Sequence, residues 1–238
     1  MRRLEEPFRG LLESMYRGEP QLGTDGRRHE LDGLTRIAPT EGMWLHDLCR
    51  RVKPETTLEI GLAYGFSTVF FLAAIRANGK GAHVAVDPGQ SDLWKGIGVQ
   101  RAQLVGMEHA FRFIPEKSVQ ALSGFARDGL TFDLIFVDGA HYFDAALVDF
   151  VLAADVCNPG GYIVLDDLWL PAIRKVAAFV RANRVDFTEV ETPFHRLWSQ
   201  WSARAPGKVI REVALANVAV FQKTAADRRA WNHFVDFT

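Results

Sequence analysis

From residue 57 onward, short apolar runs alternate with segments of helical period. The runs are Thr57-Leu58-Glu59-Ile60, His83-Val84-Ala85-Val86, Phe111-Arg112-Phe113-Ile114, Phe132 to Val137, and Tyr162 to Leu165. They are too short for helices and lack polar alternation, which predicts strands covered on both faces. Between them the spacing predicts helices over Phe66 to Ala77, Leu93 to Leu104, Ser118 to Arg127 and Phe143 to Ala154. The last carries Phe143, Leu147, Phe150, Val151 and Ala154 along one stripe. A helix near Pro171 to Ala182 is followed by two further runs, Phe187 to Glu191 and Glu212 to Phe221, with no helix between them. Strand and helix alternating in this way predict right-handed βαβ units. The expected fold is α/β: a doubly wound, mostly parallel seven-stranded sheet whose last strand is antiparallel.

The first fifty residues read differently. Leu4, Phe8, Leu11, Leu12 and Met15 recur at helical spacing, and the pattern ends near Gly18-Glu19-Pro20. A turn-rich stretch, Gly23-Thr24-Asp25-Gly26, precedes a second helix with Thr40 as cap and Trp44, Leu45 and Leu48 facing inward. Residues 1–50 are thus expected to be a helical N-terminal cover, and residues 51–238 one globular unit.

Composition narrows the class. At 48% hydrophobic and 24% charged residues, the chain lacks the bias of disordered or collagen-like sequences. A net charge of −1 gives no basic excess for nucleic acid or an anionic membrane surface. No apolar run approaches the roughly 20 residues needed to span a bilayer. The N-terminus shows no signal-peptide core. Cys49 and Cys157 are far apart, so neither a disulfide framework nor a cysteine zinc site is suggested. A soluble cytoplasmic protein is expected, and nothing decides between monomer and homo-oligomer.

In a doubly wound sheet, ligands bind at the carboxyl ends of the strands. The first strand ends in Glu59-Ile60-Gly61-Leu62-Ala63-Tyr64-Gly65-Phe66-Ser67-Thr68. Gly61 and Gly65 permit a tight turn and close backbone approach to a ligand, and the next helix presents its first amides there. The second strand ends in Asp87, placed to accept both hydroxyls of a ribose. Together these features indicate a nucleoside cofactor. A P-loop is excluded because no lysine precedes Ser67-Thr68. The dinucleotide fingerprint fails because Ala63 replaces its middle glycine and the third glycine is missing. The acidic start at Glu59 suits a cationic ligand better than a pyrophosphate.

Glu59-x-Gly61-x-x-x-Gly65-x-Ser67 resembles the first motif of class I S-adenosylmethionine-dependent methyltransferases, in the form of the catechol O-methyltransferase group. Val84 to Asp87 resembles the ribose-binding strand end. Phe132 to His141 and Gly160 to Asp167 resemble the fourth- and fifth-strand motifs. The likeness covers roughly residues 37 to 222 and is closest to the bacterial subgroup called methyltransferase family 24. It implies S-adenosyl-L-methionine as cofactor. Gly61, Ala63 and Gly65 would pass its methionine portion, with Glu59 and Ser67 nearby; Asp87 would hold the ribose, Ser118 would border the adenine, and Ile37 would close over the cofactor.

Asp138 ends the fourth strand, and Asp166 and Asp167 end the fifth. Three carboxylates at adjacent strand ends repel one another unless a cation neutralises them. Mg²⁺ prefers such carboxylates plus water and substrate oxygens. The resemblance implies Mg²⁺ at Asp138, Asp166 and Asp167, although this chain has Asp167 where the group carries Asn. His141 stands where that group carries a lysine base, and imidazole accepts a proton near neutral pH. A phenol near pKa 10 is uphill of it by about 3.5 units, roughly 5 kcal/mol, much of which a cation bound to that oxygen would offset. His141 with Asp138 is therefore the expected catalytic pair.

Trp169, Phe194, His195, Trp198 and Trp201 fall in segments expected to rim this centre, suiting an aromatic acceptor or simply packing a loop. Plainer roles exist for other residues too. Ser67 and Ser118 also suit helix starts, Ile37 core, Asp166 and Asp167 caps, and His141 a bond to a backbone carbonyl. The expected activity is O-methylation of a small-molecule hydroxyl. An NAD-dependent oxidoreductase and a non-catalytic cofactor-binding protein are the competing readings.

Overall fold

The computed structural model describes residues 1–192 and 217–237. The chain divides into two compact units, Met1–Ala121 and Leu122–Thr238. The first contains α1 (Phe8–Tyr16), β1 (Gln21–Leu22), β2 (Arg28–His29), α2 (Pro39–Val52), β3 (Thr56–Ile60), α3 (Phe66–Asn78), β4 (Ala82–Val86), α4 (Ile97–Leu104) and β5 (Phe111–Ile114). It ends within α5 (Ser118–Arg127). The second contains β6 (Phe132–Val137), α6 (Phe143–Val156), β7 (Cys157–Leu165), α7 (Pro171–Asn183), β8 (Phe187–Glu189) and β9 (Ala219–Lys223).

Strands β3 to β9 form a seven-stranded mixed sheet, running β5-β4-β3 in the first unit and β6-β7-β9-β8 in the second. The pairs β3/β4, β4/β5 and β6/β7 are parallel, and β9 is antiparallel to both β7 and β8. This is the mostly parallel sheet with an antiparallel end that the alternating runs predict. Among the described residues, no helix is long and apolar enough to cross a membrane.

Helix α3 is buried on every side from Phe66 to Ile75, which is why its sequence shows an apolar run rather than a stripe. Helix α2 packs against it through Gly42. A Cβ at that position would lie 2.0 Å from Phe70 Cε2, a distance no real contact tolerates. Gly42→Ala adds about 1 kcal/mol of helix propensity, but the overpacking costs about 1–3 kcal/mol and more where the ring cannot turn aside. We therefore expect Gly42→Ala to lower stability in urea unfolding, and Phe70→Leu to recover part of the loss. A Gly42→Ala protein as stable as wild type would show that Phe70 moves freely.

Several local expectations need correction. Helix α2 begins at Pro39 with Ala38 as its N-cap, so Thr40 lies inside it rather than capping it. Proline at the first helical position has the required φ and no amide to satisfy. Helix α4 starts at Ile97, not Leu93, whose side chain is exposed. Strand β7 starts five residues before Tyr162, at Cys157. On α6 the core face is Ala146, Phe150, Ala153 and Ala154, and both Phe143 and Val151 are exposed. Small residues there permit the close approach of α6 to its neighbours. The β1–β2 hairpin lies on either side of the predicted turn. Glu212 to Ala216, Phe194, His195, Trp198 and Trp201 lie outside the described residues.

Cys49 on α2 and Cys157 at the start of β7 are free and buried, and burial pushes both thiols up to about 12.

Candidate active site

The loop from Gly61 to Gly65 is held in unusual backbone conformations. Gly61, Ala63 and Gly65 have φ of 94°, 44° and 76°, so three of its five residues are left-handed. Alanine at such a position costs more than glycine and persists only when neighbours fix it. The Gly65 amide donates to the Leu62 carbonyl at 2.7 Å, and the Gly61 amide to Val86 at 2.9 Å. Gly65 is the N-cap of α3 and supplies no side-chain cap, so the first amides of a long buried helix are left for another acceptor.

Glu59 and Ser67 are brought together, but they face each other. The fully buried Glu59 carboxylate accepts from Ser67 Oγ, Thr68 Oγ1 and, at 3.0 Å, His83 Nε2. His83 also meets Thr57 Oγ1 at 2.8 Å through Nδ1 and stacks on Phe71. Glu59 therefore staples the first turn of α3 to β3 and β4, beneath the loop. Ser67 serves that staple.

Asp87 is 6% exposed and clamps the same loop. Its Oδ2 accepts the amides of Leu62 at 3.1 Å and Ala63 at 2.8 Å, and Gln90 Nε2 at 3.2 Å. Its Oδ1 accepts the Gly89 amide at 2.7 Å, which leaves that oxygen room for a further donor. A ribose hydroxyl reaching Asp87 would thus meet a preorganised carboxylate. One charge-assisted bond is worth roughly 1.5–3 kcal/mol, so Asp87→Ala should weaken S-adenosylmethionine binding at least about tenfold. Calorimetry on the folded variant checks this; unchanged affinity would remove Asp87 from the cofactor site.

The other expected cofactor residues lie apart from this network. Ile37 is buried, and its carbonyl accepts from Tyr16 Oη at 3.0 Å, tying it to α1. Ser118 is half-buried at the first position of α5.

In the second unit, Asp138, His141 and Asp167 converge. One ligand atom from each lies within 4.8 Å of the others. His141 Nε2 is 2.9 Å from Asp167 Oδ2 and 3.5 Å from Asp138 Oδ1. The parallel register Val137↔Leu165 sets Asp138 and Asp166 at corresponding ends of β6 and β7. Asp138 and then Asp167 hold the proton on His141, raising its pKa to about 10 against the opposing effect of burial. Burial pushes the Asp167 carboxyl up, but His141, Asn217 and Trp169 outweigh it and hold it below the usual range.

Asp166 does not point its carboxylate into this cluster. It is 4% exposed, and its Oδ1 accepts the Asp167 amide at 2.6 Å and Asn217 Nδ2 at 2.8 Å. Asn217 also donates to Asp167 Oδ1 at 3.2 Å, where Trp169 Nε1 donates at 2.7 Å. These bonds hold Asp167 at φ 59° with Oδ2 left for His141. Trp169, read as either an aromatic wall or loop packing, donates its indole N–H to orient Asp167. Asn217 was missed because it sits 50 residues along the chain from its partner, and no local pattern marks it.

Residues 58–168 match the family model described as a methyltransferase domain. The flavonoid 3',5'-methyltransferase of Vitis vinifera is 25% identical over 169 residues, covering 66% of this chain and 68% of that protein. Caffeoyl-CoA O-methyltransferase 2 of Populus trichocarpa is 30% identical over 132 residues, covering 52% and 51%. Among solved structures, the O-methyltransferase TomG from Streptomyces achromogenes, in complex with S-adenosylmethionine, has a TM-score of 0.63 at 19% identity. Coverage there is 93% of this chain and 91% of TomG. At that identity the structural likeness speaks for the fold. The matched domain and the related sequences set aside the nicotinamide reading: residues 58–168 of this chain match a methyltransferase domain, and the similar plant proteins are named methyltransferases.

Proposed function

We propose that this protein transfers the methyl group of S-adenosylmethionine to a hydroxyl of a small aromatic acceptor, assisted by Mg²⁺. The observation that carries the reading is the convergence of Asp138, His141 and Asp167, half-open to solvent, at the ends of β6 and β7. Exposed Tyr142 and Phe143 directly follow His141 and supply flat apolar surface for an aromatic ring.

The cofactor brings a sulfonium-activated methyl, so the chain's task is to position an acceptor oxygen and dispose of its proton. The left-handed loop, the uncapped start of α3 and Asp87 offer the close backbone approach and ribose acceptor that such a nucleoside needs. Asp138 and Asp167 are the carboxylates that fit a hard divalent cation, whose chemistry is to stabilise an acceptor oxyanion. Asp166 supports them indirectly, by fixing the Asp167 backbone and Asn217. As the structure stands, the two carboxylates keep His141 protonated. Once their charge is neutralised, the imidazole falls back toward its ordinary range and can accept the acceptor's proton.

The test is incubation with S-adenosylmethionine and a panel of catechols, flavonoids and caffeoyl thioesters, with Mg²⁺ or with chelator, read by mass spectrometry. Methyl ethers formed only with the cation are expected. Methylated amines would move the acceptor class to nitrogen. Cofactor hydrolysis without any methylated product would favour the non-catalytic reading.

A further inference from the structure

Among the described residues Arg101 is the largest fully buried side chain, at 0% exposure, and no ion pair to it occurs there. Its Nε donates to the Tyr64 carbonyl at 2.9 Å and its Nη1 to Gln21 Oε1 at 2.9 Å, while Nη2 has no hydrogen-bond partner among the described residues. A buried charge without a counter-charge works against stability. A methionine or leucine would fill the space beside Gly65 at less cost, so the guanidinium is retained for what it touches.

It touches the centre of the glycine loop. The Arg101 Cγ lies 2.8 Å from where a Cβ on Gly65 would be, so the side chain passes directly against the turn. On the other side, Gln21 is 2% exposed and fixed by its own Nε2, which donates to Glu19 O at 2.7 Å and Ser14 Oγ at 3.0 Å. The hairpin carrying Gln21 is in turn tied to the segment before α4 by the Thr24 amide, which donates to Lys95 O at 3.1 Å.

We propose that Arg101 is a positioning residue for the cofactor: its guanidinium fixes the Tyr64 carbonyl and hence the left-handed turn at Gly65, and the β1–β2 hairpin, through Gln21, fixes the guanidinium. Cofactor affinity then depends on a hairpin that itself need not touch the cofactor. This inference rests on the Gly61–Gly65 loop being the cofactor's cradle.

The experiment measures S-adenosylhomocysteine affinity by calorimetry, and melting without ligand, for Arg101→Met, Arg101→Lys, Gln21→Ala and Asp87→Ala. Hydrogen exchange of the peptide spanning 61–68 is followed alongside. For Arg101→Met we expect affinity to fall about tenfold or more with the melting temperature near wild type, because the loop loses preorganisation while a buried charge is removed. Gln21→Ala should weaken binding about threefold, and Arg101→Lys should recover part of the loss, since an ammonium can still donate to Tyr64 O. Faster exchange over 61–68 should accompany each loss. A lower melting temperature with unchanged affinity in Arg101→Met and Gln21→Ala would make Arg101 purely structural and overturn the inference. Should Arg101→Met fail to fold, Gln21→Ala and Arg101→Lys decide by the same criteria. If Asp87→Ala also binds normally, the cradle reading fails and the inference with it; if only Asp87→Ala binds weakly, the inference fails alone.

Discussion

Gly65→Val is expected to abolish the thermal stabilisation that S-adenosylmethionine gives this protein, while leaving most of the sheet in place. At φ 76° a β-branched residue is a true outlier, and the left-handed conformation costs roughly 1–3 kcal/mol. The new Cβ would also lie 2.8 Å from Arg101 Cγ and 3.2 Å from Gly98 Cα. Arg101 cannot swing aside without breaking its bonds to Tyr64 and Gln21. The loop must therefore move, taking the first turn of α3 with it. We expect affinity to drop by more than about a hundredfold, since strain and lost contacts together exceed about 3 kcal/mol. A melting-temperature shift with cofactor equal to that of wild type would mean that the loop is not the cradle.

The second large effect lies at Asp138. Two carboxylates surround one cationic imidazole in the structure, with His141 raised to about 10. At pH 7 only about one such imidazole in a thousand is free to take a proton. Chelation should therefore move the pH–activity profile in the alkaline direction, with little turnover at neutral pH and recovery as pH rises toward 10. Asp138→Asn should reduce turnover at neutral pH by about a hundredfold or more, because the cation loses a carboxylate and the acceptor oxyanion loses Lewis-acid stabilisation, a loss that outweighs the fall of His141 toward its ordinary range. It should leave cofactor affinity nearly intact, since the loop and Asp87 proposed to hold the cofactor belong to the other unit. His141→Ala should keep its metal response but recover only where a phenolic acceptor ionises unaided, near pH 10. Full neutral activity after exhaustive chelation, with His141→Ala inactive at every pH, would leave histidine as the sole catalyst and the aspartates as scaffolding.

The strands were legible because their chemistry is local. Phe111–Ile114 and Phe132–Val137 coincide with β5 and β6, being apolar runs closed off by polar and turn-forming residues. The helix starting at Phe66 was equally plain, since a glycine and Phe66-Ser67-Thr68 lead into the apolar run from Val69 to Ile75. The β1–β2 hairpin was not, because its strands are two residues each and owe their pairing to tertiary contacts such as that between Gln21 and Arg101. At the site, spacing identified which residues lie at strand ends but not where their side chains turn. Asp166 and Asp167 are adjacent in sequence, yet one faces Asn217 and the other His141. Glu59 reads as a ligand for a cation until its oxygens are seen to be occupied by Ser67, Thr68 and His83. No local pattern marks Arg101 in its short helix; only its complete burial distinguishes it.

The two thiols offer a built-in clock. Cys49 belongs to the first compact unit and Cys157 to the second, and each is buried with its pKa raised to about 12. An aromatic disulfide reagent reacts with thiolates it can reach, so labelling proceeds only when the surrounding structure opens. Peptide mapping of the labelled protein would then time the opening of each unit separately. Cofactor that binds the loop should slow labelling at Cys49 by the factor of its binding linkage, whereas occupancy of the Asp138–Asp167 pair should register first at Cys157. One reagent and two residues thus report, without any engineered probe, which half of the protein each ligand holds shut.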